Sequence, residues 1–422
     1  MKTTEIKSII SKKKLDSVFS ELYSNIAQQR ERYVGALEKF EKLYGEKDVE
    51  IYSAPGRTEI GGNHTDHQNG KVLAGSVDLD AIAVVAKTND NVAYIKSEGY
   101  PAIEIDLKHL EIREDEVGTT ESLVRGVANG VVMRGCQIGG FEAYITSDVL
   151  GGSGLSSSAA FEVLIGNIFS GLYNEEKLDS ITIAQIGQEA ERDYFGKPCG
   201  LMDQMACSVG GMVFIDFLDP KKPYVKKVDV EFQQFEHCLC IVDTKGSHAD
   251  LTDEYAAVPQ EMKKVAEYFG KKLLCQVDKE TFWSEIPQVR EQTGDRAVLR
   301  AMHWFEENRR VDEEVAALEK GDFDTFKMVV KQSGDSSFKY LQNVFAVKSI
   351  EEQRVSLALA LSEGVLNKVG VSRVHGGGFA GTIQAFVPVE LVDTYKKTLE
   401  GVFGSGTCYV LQIRKDGGRK IV

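Results

Sequence analysis

The chain has 422 residues, with 50 basic against 64 acidic side chains and a formal net charge of -14. That balance argues against nucleic acid or an anionic membrane as the main partner, while leaving room for an anion held in a local pocket. The length exceeds the usual span of one hydrophobic core, so two domains are expected. The seven cysteines form no CxxC pair, so neither a disulfide framework nor a zinc site is indicated. The start is polar and mixed in charge, unlike a signal peptide, and no apolar run approaches a membrane span. A cytoplasmic protein is the simplest expectation.

Residues 1–45 carry apolar positions at helical spacing, first Leu15, Phe19 and Leu22, then Tyr33, Leu37 and Phe40. They predict a helical N-terminal arm that stops at Gly45. Residues 49–53 read as a strand, and Ala54-Pro55-Gly56-Arg57 is expected to turn the chain. The polar stretch 58–70 follows. Residues 72–85 alternate and then become apolar, as a sheet strand does. Asp78 and Asp80 lie two apart and so face one side, either as a cation-binding pair or as solvent-facing positions. Further strands are expected in 92–107, a helix over 119–134 and a strand over 141–145.

That strand leads into Gly151-Gly152-Ser153-Gly154-Leu155-Ser156-Ser157-Ser158-Ala159-Ala160, with another apolar run behind it. The pattern is strand, glycine-rich turn, helix. A helix start leaves backbone N–H groups unpaired, and these attract phosphate. Glycines let the backbone pass close to it. Serine hydroxyls add donors and a ligand for Mg2+. No Gly-Lys-Ser/Thr closes the loop, so it is not a Walker A sequence. A serine-capped helix packed on a sheet is the plain structural alternative.

Residues 178–194 predict a second helix with Glu189, Glu191 and Asp193 near its C-terminal end. Such a run is a solvated face, or it is neutralised by something positive, since carboxylates there oppose the helix dipole. In Pro198-Cys199-Gly200-Leu201-Met202-Asp203-Gln204, the aspartate is a helix cap or a functional carboxylate. Strands follow at 212–217 and 235–243, and a helix at 255–269. Residues 272–335 are charged and mainly helical, with Trp283, Trp304 and Phe305 as core anchors. A long helix is expected over 345–366. The strand 369–374 is interrupted by His375-Gly376-Gly377-Gly378-Phe379-Ala380-Gly381, and 382–387 resumes as a strand. A helix near 390–400 and a strand at 407–413 end the chain. One boundary after residue 217 would give domains 1–217 and 218–422.

Together, these loops resemble the three signature motifs of the GHMP small-molecule kinases. Gly151 to Ala160 is similar to their phosphate-binding second motif, and Val374 to Gly381 to the third. Within the superfamily the chain resembles the galactokinase family. That family's first signature reads Gly-Arg-x-Asn-x-Ile-Gly-Glu-His-Thr-Asp-Tyr. Here the residues are Gly56-Arg57-Thr58-Glu59-Ile60-Gly61-Gly62-Asn63-His64-Thr65-Asp66-His67. Pro198 to Gln204 is similar to the family's Pro-Cys-Gly-Ile-Met-Asp-Gln.

The resemblance implies a two-domain α+β fold with mixed and antiparallel sheets and an active site between the domains. It implies transfer of phosphate from ATP to the anomeric hydroxyl of galactose. Asp203 would face that hydroxyl as general base or electrostatic partner, and Arg57 would neutralise charge between nucleophile and phosphate. Asn63, His64, Asp66, Gly200 and Tyr255 would bind the sugar. Gly151, Gly152, Ser153, Gly154, Leu155, Ser156, Ser157 and Ser158 would wrap the nucleotide phosphates, and Ser157 with Glu191 would hold Mg2+. Asn63 stands where the family has Glu, Glu59 where it has Asn, and His67 where it has Tyr; Arg-Arg is missing after Tyr255. These departures bear on the sugar more than on the reaction. Kinases for arabinose, galacturonate or N-acetylgalactosamine are the alternatives, with a non-catalytic sugar sensor behind them. The expected partners are a small sugar and ATP, with the chain acting as a monomer.

Overall fold

The computed structural model describes residues 1–149, 154–230, 232–246, 251–348 and 350–422. Two units interleave along the chain. The first comprises Met1–Arg57, Ser76–Gly211 and Arg414–Val422; the second comprises Thr58–Gly75 and Met212–Ile413. A single boundary near residue 217 therefore does not separate them. The reason lies in two long strands, β1 (Glu50–Gly61) and β2 (Lys71–Lys87), inside which the chain passes from one unit to the other.

The first unit opens with helices α1 (Thr3–Ser11), α2 (Asp16–Leu22) and α3 (Ile26–Tyr44). Asn25 caps α3 by accepting the Gln28 N–H, and Gly45 ends it at a positive φ of 80°. Their apolar stripes, with Ile6, Phe19, Leu37 and Phe40, bury against Ile82 and Val84 of β2. The other strands are β3 (Val92–Ser97), β4 (Ala102–Asp106), β5 (Phe141–Ser147) and, at the far end of the chain, β12 (Arg419–Lys420). Their order is β12-β1-β2-β5-β3-β4, with β3 parallel to β5 and the pair β2–β5 antiparallel. Helices α4 (Thr120–Met133), α5 (Ser157–Asn174), α6 (Ser180–Glu189) and α7 (Met202–Val209) complete the unit. A wider π-helical turn, Ala190–Tyr194, prolongs α6.

The second unit holds β6 (Met212–Asp216), which pairs antiparallel with residues 71–75 of β2 and with β7 (Tyr224–Val228). It also contains a four-stranded antiparallel sheet of β8 (His237–Asp243), β9 (Val371–Val374), β10 (Thr382–Pro388) and β11 (Cys408–Leu411), in the order β11-β8-β10-β9. Its helices are α8 (Thr252–Tyr268), α9 (Lys279–Ser284), α10 (Ile286–Thr293), α11 (Asp295–Glu319), α12 (Phe323–Ser336), α13 (Arg354–Leu366) and α14 (Val392–Phe403). Val242, Ile383, Ala385, Tyr395 and Leu399 form part of the core between sheet and helices. The whole is the expected α+β arrangement with mixed and antiparallel sheets. Among the described residues no helix is long and apolar enough to cross a membrane.

Several local expectations give way. Ala54 to Arg57 does not turn; β1 runs on to Gly61, because the fixed φ of Pro55 also suits an extended strand. The helix expected from 345 begins only at Arg354. Trp304 and Phe305 are core residues, whereas Trp283 is 39% exposed. Asp78 and Asp80 neither face solvent nor form an open cation pair. Ser24 donates to Asp78 at 2.7 Å. Asp80 is wholly buried, with Arg32 at 2.6 Å and Arg414 at 2.9 Å.

Burial alone would raise the pKa of Asp80. Arg32 and Arg414, with the hydroxyls of Ser53 and Tyr23, outweigh it and hold the carboxyl below its ordinary range. Asp80→Asn would leave the fully buried Arg414 without its carboxylate and Arg32 with Asp148 alone, costing about 3–5 kcal/mol in urea unfolding. A group with a depressed folded pKa contributes stability that is full above its unfolded value, near 3.9, and is lost as pH falls through that range. The difference between the native chain and Asp80→Asn should therefore be constant at neutral pH and shrink under acid.

Candidate active site

The first unit brings one half of the expected residues together. Arg57, on β1, donates from Nε to Asp203 Oδ1 at 2.7 Å and from Nη1 to the Gly154 carbonyl. Its own backbone N–H reaches the Leu155 carbonyl at 3.0 Å. Asp203 lies in the first turn of α7, where a carboxylate suits the positive end of the helix dipole. Ser156 Oγ donates to its second oxygen at 2.5 Å. Burial opposes ionisation of Asp203, but the charge and hydrogen bond of Arg57 and the Ser156 hydroxyl prevail and hold it below the usual carboxylate range. Arg57 is nearly buried, and the Asp203 side chain is 31% exposed. The arrangement is a fixed anion with one face accessible.

Ser156 precedes α5 at a positive φ of 57°, and Ser157 and Ser158 begin the helix. Gly151, Gly152 and Ser153 lie outside the described residues. Ser158 Oγ, rather than Ser157, donates to Glu191 at 3.0 Å. Glu191 sits in the π-helical turn after α6 and is buried. It also accepts from Lys197 Nζ at 2.8 Å and Gln204 Nε2 at 2.8 Å. Each carboxylate opposing the helix dipole has a positive partner: Lys197 neutralises Glu191, Arg134 pairs with Glu189, and Arg192 pairs with Asp193. Gly200 is half-buried, just ahead of α7.

Glu162, on α5, was not anticipated. Gln204 donates to it at 3.0 Å. Burial, then the negative charge of Glu191, drives its carboxyl well above the ordinary range. A lone carboxylate inside the apolar run 159–169 was the available signal. Glu162 Oε1 and Gln204 Oε1 are buried without a hydrogen-bond partner among the described residues. Carboxylate, amide and hydroxyl oxygens are the hard donors that Mg2+ takes. No group of three or more His, Cys, Asp or Glu converges as a ready cage among the described residues. A set of one carboxylate and serine hydroxyls, completed by phosphate and water, nonetheless fits Mg2+.

The second unit gathers the expected sugar residues. Asn63 is fully buried. Its Nδ2 donates to Glu59 Oε1 at 3.0 Å and to the Gly376 carbonyl at 2.7 Å. Its Oδ1 accepts from Asn343 Nδ2 at 2.9 Å and Ser337 Oγ at 3.2 Å. A primary amide has two donors and two acceptor sites, and all are taken. The Asn63 side chain is thus fully engaged within the protein. His64 has φ 57° and donates from Nε2 to the Gly377 carbonyl at 3.0 Å. Burial and the neighbouring His67 lower its pKa to about 4, so it is neutral. Asp66 is half-buried at the start of a short helical turn, Asp66–Gln68. Tyr255, on α8, donates to the Gly378 carbonyl at 2.8 Å, and burial pushes its phenol up to about 12. His375 is tied to Thr58 and Thr382, which leaves it a structural role.

Residues 122–211 match the model for the GHMP kinases N terminal domain, and residues 38–87 match the galactokinase galactose-binding signature. A galactokinase of Glaesserella parasuis is 31% identical over 363 residues, spanning 86% of this chain and 91% of the relative. One from Mannheimia succiniciproducens is 30% identical, spanning 85% and 91%. The crystal structure of Lactococcus lactis galactokinase complexed with galactose superposes with a TM-score of 0.75 at 26% identity, covering 90% of this chain and 97% of that one. A Methanococcus jannaschii mevalonate kinase shares the fold, at TM-score 0.63 and 15% identity over 87% and 98% of the two chains. The fold and the serine-rich helix start define a GHMP-type phosphotransferase. Within that class the chain belongs to the galactokinase family.

The third glycine loop offers a test of the geometry. Gly378 has φ 78°, and a Cβ there would lie 2.0 Å from the Asn343 carbonyl oxygen. Gly376 has φ 63° but open space around it. Gly378→Ala should cost about 2–4 kcal/mol in urea unfolding, and Gly376→Ala about 1–2 kcal/mol. Equal costs would show that the Asn343 contact does not constrain the loop.

Proposed function

We propose that this protein transfers the γ-phosphoryl group of ATP to the anomeric hydroxyl of galactose, giving galactose 1-phosphate and ADP. The observation that carries the reading is Asp203, held ionised by Arg57 and Ser156 at the mouth of a serine-rich helix start. Each Asp203 oxygen already accepts one bond and keeps a lone pair for a sugar hydroxyl. So acidic a carboxyl is a poor base. It orients the hydroxyl for in-line attack, which is the larger demand when the transition state is loose. Arg57 offsets the negative charge between carboxylate and incoming phosphate. The first-turn N–H groups of α5 and the hydroxyls of Ser156 to Ser158 receive the nucleotide phosphates. Mg2+, held by Glu191 and a serine of this turn, supplies positive charge on the phosphate oxygens when bound.

His64, Asp66, Gly200 and Tyr255 remain the sugar-reading residues. The match to the galactose-binding signature and the likeness to a galactose complex support galactose. One observation favours a second reading, a related aldose such as arabinose: the amide of Asn63 has no capacity left where the family signature carries Glu.

A coupled ADP-release assay over free aldoses and uronates, with ATP and Mg2+, tests both. Galactose should give the highest kcat/KM; preference for arabinose would select the second reading, and no turnover of any sugar would overturn both. Asp203→Asn should lower kcat by about 10²–10³ while sugar still binds in calorimetry. Near-normal turnover in that variant would remove Asp203 from the mechanism.

A further inference from the structure

The family signature has Asn, Ile and Glu where this chain has Glu59, Gly61 and Asn63. The acid and the amide have changed places, and they are bonded to one another, Asn63 Nδ2 to Glu59 Oε1. Glu59 is buried, and the same oxygen receives the guanidinium of the fully buried Arg373. Arg373 is itself fixed by the Ile60 carbonyl at 2.8 Å and Ser333 Oγ at 3.3 Å. The other Asn63 amide proton goes to the Gly376 carbonyl. Asn343, which donates to Asn63 Oδ1, also reaches the Gly377 carbonyl at 3.3 Å, and His64 donates to that carbonyl. A continuous chain of bonds therefore runs from Arg373 through Glu59 and Asn63 to the turn that holds His64.

The neighbours of this pair are buried and ionisable as well. A Cβ at Gly61 would fall 1.8 Å from Glu314 Oε2, so glycine is the residue that admits the Glu314 carboxyl. Glu314 is buried with neither oxygen partnered among the described residues, and burial with the charge of Glu307 pushes its carboxyl well above the ordinary range. Glu307, which accepts from the Gly62 and Asn63 N–H groups at 3.3 Å, is held ionised against burial by Arg310, with its pKa at about 2. His303, which donates to the Asn63 carbonyl at 2.9 Å, is kept neutral by burial. Two guanidinium groups, Arg373 and Arg310, thus face two carboxylates, Glu59 and Glu307. A buried set balanced in this way tolerates the exchange of acid and amide only as a pair.

We propose that Glu59 and Asn63 are one coupled positioning pair: Arg373 fixes Glu59, Glu59 fixes the Asn63 amide, and the amide sets the turn at Gly376 and Gly377 that holds His64. The effect on the sugar rests on the kinase reading above; the coupling does not. The test is a cycle of Glu59→Asn, Asn63→Glu and the double exchange, read by thermal unfolding and by KM for sugar and for ATP. Glu59→Asn leaves Arg373 without its carboxylate, and Asn63→Glu sets a second acid against Glu59. Each should lower Tm by about 5 °C or more. Each should raise the sugar KM about tenfold with the ATP KM within about twofold. The double exchange, keeping one acid and one amide, should recover at least half of the summed Tm loss. Glu59→Gln preserves shape and is the milder variant should a single exchange fail to fold; it should still raise the sugar KM. Additive losses in the double exchange, or equal rises in the two KM values, would overturn the proposal. If the unaltered protein turns over no sugar, the functional reading fails, and the Tm cycle alone decides the coupling.

Discussion

A carboxylate beside a guanidinium stays ionised, and the first unit is arranged around one such contact. Arg57 reaches Asp203 at the start of α7 and the Gly154 carbonyl in the loop before α5. One side chain therefore ties strand β1, the serine-rich turn and a helix N-terminus. Ser156 closes the arrangement from the other side of Asp203. Without the guanidinium, the burial that opposes ionisation of Asp203 would lose its main counterweight and the pKa of the carboxyl would rise. The chemistry proposed for the protein follows from that balance.

The second unit solves a harder electrostatic problem. Its interior carries Arg373, Glu59, Glu307, Arg310, Glu314 and His303, all buried. Buried pairs seldom add much net stability, because desolvation consumes most of the Coulomb gain. What they provide is geometry, since a wrongly placed group would leave a charge or an amide unsatisfied. Here the geometry delivered is that of residues 61–66 and 376–378. Strand β1 serves both units, carrying Ser53 to Asp80 and Arg57 to Asp203 before Thr58 and Glu59 enter the second.

Most of the fold was legible in the sequence, because apolar periodicity reports burial directly. The helices of the arm, β2, α4 and the strands around the third glycine loop follow from it. The motif residues Arg57, Asp203, Ser156 and Glu191 were legible as a constellation. What escaped was what depends on long-range partners. Asp80 reads as a surface acid until Arg32 and Arg414 are seen on it, and Arg414 is far along the chain. The four hydrogen bonds that engage the Asn63 side chain come from residues up to 313 positions away, which no local pattern marks. Glu162 sits in an apolar run, and only the fold brings Gln204 and Glu191 to it. Pro55 signals a turn by itself, yet its φ also suits the strand that contains it. The interleaving of the units escaped because a strand crossing between them carries no compositional mark.

The central claim is that Asp203 works as an ionised, orienting carboxylate. Infrared difference titration of the native chain against Asp203→Asn reads its protonation directly. The account predicts a carboxylate band that persists down through the ordinary range near pH 4 and is lost only below it. A carboxyl that remains protonated up to neutral pH would contradict it, and would make Asp203 a proton carrier.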